Sequence, residues 1–345
     1  MAIQKDEITS LDRLETIFRL EEVDRLPAVQ PLQTGTIEVM NESGFFWPEA
    51  HKEPSKMAGL SYAAHTVIGF ESVRIPFDTT IEAEALGCML NWKEGSIMPT
   101  IRTPLVHEPE IIDNIEVPDV RRAGRMPIVF EAARILSPKT KGESIPLIMG
   151  IVGPFMIAGQ LRGMDQFLIE LFTEPELSHK IIEVSTKTCI EYASENEKAG
   201  ADIITLGDIP SSDLISLTDH DSFSKPYNER IIKSSKIPFI LHICGDSTLM
   251  LDSMVSSGAR AVSIDAKVDM AVLKRVAAGK CATAGNVSVI NSLLNGTPED
   301  VAEETRMAIS KGADLPCGSC GFVPGTSTSN LRAMVSAIRK YGEKN

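Results

Sequence analysis

His242-Ile243-Cys244 places an imidazole and a thiol two residues apart within one apolar run, PFILHICGD (238–246). On a strand, residues i and i+2 point to the same side, so the two side chains converge like the prongs of a fork. Far downstream, Cys317-Gly318-Ser319-Cys320 closes a second run, ADLPCGSCG (313–321). Imidazole nitrogen and thiolate sulfur together suit zinc. Taken singly, each fragment has a plainer reading. A histidine near a strand end is commonly just hydrogen-bonded, a C-x-x-C pair can be a redox couple, and a buried cysteine can act as a small apolar filler. Cys88, Cys189 and Cys281 fit that last description. The two fragments together favour a zinc centre. Four protein ligands would make a closed, structural site, whereas three leave a position for substrate. An open zinc could hold a substrate thiol as thiolate, the nucleophilic form, or activate a water. Residue types and spacing leave that choice open.

Such residues need elements to position them. Eight short apolar, β-rich runs recur along the chain: 26–34, 72–78, 146–153, 201–208, 238–246, 261–267, 281–288 and 313–321. Most are near-continuously hydrophobic, as strands buried on both faces should be. Helical segments lie between them. One runs from Glu174 to about Lys198, with Leu177, Ile181, Val184 and Tyr192 near helical spacing and Gly200 as a stop. Another begins with Thr297 as N-cap and Pro298 in the first turn, and ends before Gly312. Eight alternations predict an α/β fold, a closed (β/α)8 TIM barrel. An open doubly wound sheet is the runner-up, weakened because neither a G-x-G-x-x-G nor a P-loop occurs. We expect one domain over 1–345, with 1–25 as a helical lead-in and a hairpin insertion around Lys93-Glu94-Gly95 after the second strand. In such barrels chemistry gathers at the C-terminal strand ends. Asp78, Asp208, His242, Cys244, Asp246, Asp265, Asn286, Cys317 and Cys320 all sit there.

Composition narrows the class further. The chain has 345 residues, 43% of them hydrophobic, and a formal net charge of −13. A nucleic-acid binder would show a basic patch, so nucleic acid is excluded as a partner. No apolar run is long enough to span a bilayer, so no membrane insertion is expected. The opening MAIQKDEITSLDRL carries charges where a signal peptide needs an apolar stretch, which predicts a cytoplasmic protein with six reduced or metal-bound cysteines.

Several stretches together resemble the uroporphyrinogen decarboxylase superfamily over nearly the whole length. They are TSLDRLETIFRLEEVDRLP at the start, IEAEALGC (81–88), and then HICGD, SIDAKVD, AGNVS and CGFVPGTS. The chain is most similar to the methylcobamide:coenzyme M methyltransferase branch. The resemblance implies zinc held by His242, Cys244 and a late cysteine in a Cys-Gly-apolar-x-Pro-x-Thr pattern. Cys320 through Thr326 match that pattern and Cys317 does not. Cys317 is a departure that leaves a four-ligand site open. The resemblance also makes Asp265 an acidic group that could approach the zinc or orient a ligand from behind it. Asp78 matches the decarboxylase's key aspartate in place; here it would line the cavity, or else only cap the next helix. Asp208 and Asn286, at the ends of the fourth and seventh runs, are assigned to cofactor binding.

The decarboxylase branch grips porphyrinogen carboxylates with arginines in a motif near Arg-Gln-Ala-Gly-Arg. The matching stretch here is Leu32-Gln33-Thr34-Gly35-Thr36, which argues against decarboxylation. The implied reaction is methyl transfer from a methylated corrinoid, brought by a partner protein, to a small thiol, with coenzyme M leading. Two rivals stay open: another enzyme of the superfamily, either a methyl-donor:corrinoid methyltransferase or a lyase, and a non-catalytic zinc- or corrinoid-binding accessory protein with Cys317 closing the metal shell.

Overall fold

In the computed structural model, residues 8–92 and 98–343 are described. Six parallel strands form one sheet: β1 (Val73–Ile75), β4 (Leu147–Val152), β5 (Ile203–Asp208), β6 (Phe239–Ile243), β7 (Ala261–Ile264) and β8 (Ala282–Ala284), hydrogen-bonded in that order. Between β1 and β4 lies an antiparallel hairpin, β2 (Met89–Asn91) with β3 (Thr100–Thr103). This is the insertion expected after the second run; its tip at Lys93–Gly95 lies outside the described residues. β4, β6 and β7 are buried at every position, as their largely apolar sequences require when helices cover the outer face.

The first and last runs close the barrel, but not as regular strands. The run 313–321 continues beside β8 through parallel bridges Ala284 to Leu315 and Val287 to Gly318. The run 26–34 joins its neighbours by isolated bonds: Glu71 N–H to the Ala28 carbonyl at 2.8 Å and Phe322 N–H to the Gln33 carbonyl at 2.9 Å. Pro27, Pro31 and Pro316 have no N–H to give a ladder. Side chains substitute. The Gln30 amide accepts from Gly318 N–H at 3.0 Å and donates to the Cys320 carbonyl at 3.3 Å. Gln33 donates to the Phe322 carbonyl at 2.7 Å, and the Ser72 hydroxyl accepts from Gln30 N–H at 3.1 Å. Eight strands were expected; six pair as ladders and two are stitched in, because proline removes the donors.

The helices follow their end signals. Pro175–Ala199 stops at Gly200, whose φ of 107° suits glycine. Pro298–Ser310 begins at Thr297, which forms a reciprocal capping box with Asp300. The lead-in contains one helix, Ser10–Phe18, opened by a Thr9–Asp12 capping box and buried on its Leu14 and Ile17 side. Among the described residues no helix is long and apolar enough to cross a membrane.

Candidate metal centre at the barrel mouth

β6 carries the fork to the C-terminal end of the barrel. His242 is buried, while Cys244, one residue past the strand, is partly open. The closing run delivers Cys320 to the same point, also partly open. Their donor atoms all lie within 4.8 Å of one another. His242 Nε2 is 3.1 Å from Cys244 Sγ, and the two sulfurs are 3.3 Å apart. The other ring nitrogen, Nδ1, is 3.1 Å from the Ser263 hydroxyl on β7, whose residue pairs in register with His242. Such a partner fixes which imidazole nitrogen faces a metal.

The two thiols share their protons unequally. The hydrogen bond from Cys244 holds the Cys320 thiol well below its ordinary range, with His242 adding to the effect. The same bond, together with burial, pushes the Cys244 thiol up. One imidazole and two thiols, partly open on one side, make a donor set that fits a soft or borderline divalent ion with one position free.

The remaining sequence-predicted residues take varied places. Cys317 is fully buried, lies outside the donor cluster, and has its thiol pushed up to about 12 by burial. Asp265 is beside the centre. Its carboxylate accepts from Gly245 N–H at 3.3 Å, bracing the turn just after Cys244, and from Lys267 N–H at 3.1 Å. Asn286 donates to the carbonyls of Asp265 at 3.1 Å and Val268 at 2.7 Å, so it holds the Asp265 loop. Asp208 is buried against the start of helix Pro154–Arg162 and accepts from Met156 N–H at 2.9 Å and Ile209 N–H at 3.0 Å. Burial pushes its carboxyl up to about 6 despite those bonds. Asp246 caps its own turn through Thr248.

Asp78 sits at the exit of β1 in a corner the sequence did not reveal. Arg125 grips it with two nitrogens, at 2.8 and 3.2 Å, and Thr80 donates to it through N–H and hydroxyl. His51 Nδ1 is 2.9 Å away. These cationic and hydrogen-bonding neighbours outweigh burial and hold the Asp78 carboxyl far below the usual carboxylate range. Trp92 lies under both Arg125 and Lys52, at 4.8 and 4.1 Å from its ring centre. Nothing in RRAGRM singled out Arg125. Ser263, by contrast, stands two residues before Asp265, and that spacing puts both on one strand face.

Fold and site together define a parallel α/β-barrel protein with a His/Cys/Cys cluster at the C-terminal mouth whose three donor atoms could hold a metal ion. The uroporphyrinogen decarboxylase family profile matches residues 9–341, and the chain belongs to that family. It is 36% identical to a methylcobamide:CoM methyltransferase of Methanosarcina acetivorans, covering 97% of this chain and 99% of that one. A methylcobamide:CoM methyltransferase of Methanosarcina barkeri is 32% identical over the same shares. A uroporphyrinogen decarboxylase of an Anaeromyxobacter species is 27% identical, covering 94% and 97%. Among solved structures, a methyltransferase from Methanosarcina mazei superposes with a TM-score of 0.93 at 31% identity, covering 97% and 99%. The chain is an enzyme of the methyltransferase type.

Proposed function

We propose that this enzyme moves a methyl group from a methylated corrinoid, carried on a partner protein, to the sulfur of a small thiol, with coenzyme M as the leading acceptor. The Methanosarcina relatives, more than 30% identical over nearly their full lengths, are methylcobamide:CoM methyltransferases by name. The single observation that carries the reading is the convergence of His242, Cys244 and Cys320 from two distant runs. In this proposal those three residues hold zinc, which when bound supplies the Lewis acidity that keeps a thiol ionised near neutral pH. Ser263 orients the imidazole, and Asp265, tied to Gly245 and anchored by Asn286, sets the Cys244 turn and faces the incoming thiol. Asp78, neutralised by Arg125, shapes the opposite wall. Asp208 supports the mouth by capping a neighbouring helix. Residues 1–345 act as one cytoplasmic unit in this reading.

Decarboxylation of a polycarboxylate has little support. Leu32 is buried and apolar, and Thr36 is occupied as the N-cap of helix Ile37–Ser43, where the resemblance expects arginines. The accessory-protein alternative needs Cys317 as a fourth ligand, and Cys317 lies outside the donor cluster. The test is X-ray absorption of the zinc-loaded protein with and without coenzyme M. The zinc shell should gain one sulfur at about 2.3 Å when the thiol is added. An unchanged shell at saturating thiol sinks the proposal.

A further inference from the structure

Arg74 is a cation inside the barrel that the chemistry above does not use. It lies on β1 between Val73 and Ile75, both fully buried, and its own side chain takes the other strand face. That face is the one that carries the metal donors. Arg74 pairs in register with Ile148, so Gly150, two residues on, shares its side. Gly150 pairs with Thr205 and Thr205 with Ile240, two residues before His242. Gly150 is what lets the arginine lie there, because a Cβ on it would run into the guanidinium. Arg74 is only partly exposed, and Cys320 is among the groups whose charge favours its charged form.

Its donors are largely unspent. A guanidinium offers five N–H groups. Here one nitrogen donates to the Pro76 carbonyl, and Nε, buried, has no partner. Among the described residues no carboxylate comes within ion-pair distance of it. The two nearby acids are accounted for elsewhere. Asp78 is matched by Arg125. Glu82 accepts from Val152 N–H at 2.7 Å, burial pushes it up to about 7, and it forms no ion pair with Arg74. Burial lowers the Arg74 guanidinium to about 10, which still leaves it charged. A buried cation with unpaired donors is costly unless something answers it.

We propose that Arg74 binds the acidic head group of the thiol substrate, so that the enzyme selects short thiols bearing a strong-acid anion. The inference rests on the thiol-methylation reading and adds its selectivity. The planar fork of a guanidinium matches two oxygens of an oxyanion, and a neutral thiol would leave it unanswered. The head group would meet Arg74 while the sulfur faces His242, Cys244 and Cys320, fixing the substrate at both ends.

The experiment is calorimetric binding to the zinc-loaded enzyme and to its Arg74→Met and Arg74→Lys variants. The probes are 2-mercaptoethanesulfonate, neutral 2-mercaptoethanol, and ethanesulfonate, which has no thiol. The wild type should prefer 2-mercaptoethanesulfonate to 2-mercaptoethanol by roughly 30-fold or more, from one charge-assisted contact in a shielded site. Arg74→Met should weaken the sulfonate thiol roughly 10–100-fold and move 2-mercaptoethanol by less than about threefold, with Arg74→Lys between. Equal binding of the two thiols by the wild type overturns the proposal even if neither variant folds. So does an equal loss for both thiols in Arg74→Met, or none for either. Ethanesulfonate separates this inference from the reaction it rests on. If it binds through Arg74 while no thiol is methylated, the anion site stands and the reaction falls.

Discussion

Two corners of the barrel mouth treat buried polarity in opposite ways. At the β1 exit, Asp78 is answered from within by Arg125, Thr80 and His51, and Arg125 also reaches Glu84 at 2.6 Å. At the β6 exit, His242, Cys244 and Cys320 face one another with donor atoms inside 4.8 Å. Three lone-pair donors crowded together gain little from each other once the thiols ionise; a divalent cation among them satisfies all three. The first corner is balanced by the chain itself, and in the proposed function the second is balanced by the zinc it would acquire.

The largest effect should come from the acquiring corner. His242→Ala and Cys320→Ala should each lose most bound zinc and all methyl transfer, whereas Cys317→Ala keeps both. Metal content by elemental analysis decides it, and equal loss from Cys317→Ala and Cys320→Ala would point to a closed four-ligand shell. The self-balanced corner should respond in stability instead. Arg125→Ala leaves the Asp78 carboxylate buried without its main partner and should cost about 3–5 kcal/mol in denaturant unfolding, with zinc content unchanged. Its pH signature has a definite sign. The folded-state pKa of Asp78 is depressed, so the stabilisation is present above the unfolded value near 4 and is lost as pH falls below it. That acid-side loss should shrink in Arg125→Ala. A fall in zinc stoichiometry in the same variant would mean the corners are not independent.

Asp265→Ala tests the ground between them. It removes the brace on Gly245 but no donor, so zinc should stay and methyl transfer to thiol should fall about 10–100-fold. The smallest effect belongs far from the mouth. Thr297→Ala removes a helix cap and should lower stability by about 1 kcal/mol with no change in metal content or rate.

What the sequence made legible follows the range of the interaction. The His-x-Cys fork depends only on strand alternation, and the Thr297 and Gly200 boundaries only on local capping, and each is present. Cys320 was separated from Cys317 by the family pattern alone, and the structure places Cys317 outside the donor cluster. Asp78 and Arg125 were out of reach because they meet across 47 positions through a fold that had first to be built. Asp208 stood out as a carboxylate at a strand end, but nothing local showed that its oxygens would accept from the Met156 and Ile209 amides. The 26–34 run showed its prolines openly, but not that glutamine amides would supply the missing bonds.

Gln30 has a consequence for the order of events during synthesis. Its amide grips the backbone of Cys320 from 290 positions earlier, while Cys320 meets Cys244 across 76. If the three residues hold zinc as proposed, a growing chain displays two teeth of the clasp well before the third leaves the ribosome, and that tooth is seated only when the ring is drawn shut against the earliest-made wall. Tight zinc capture would then report a finished ring, and the captured ion would in turn bolt the joint where proline has thinned the hydrogen bonding.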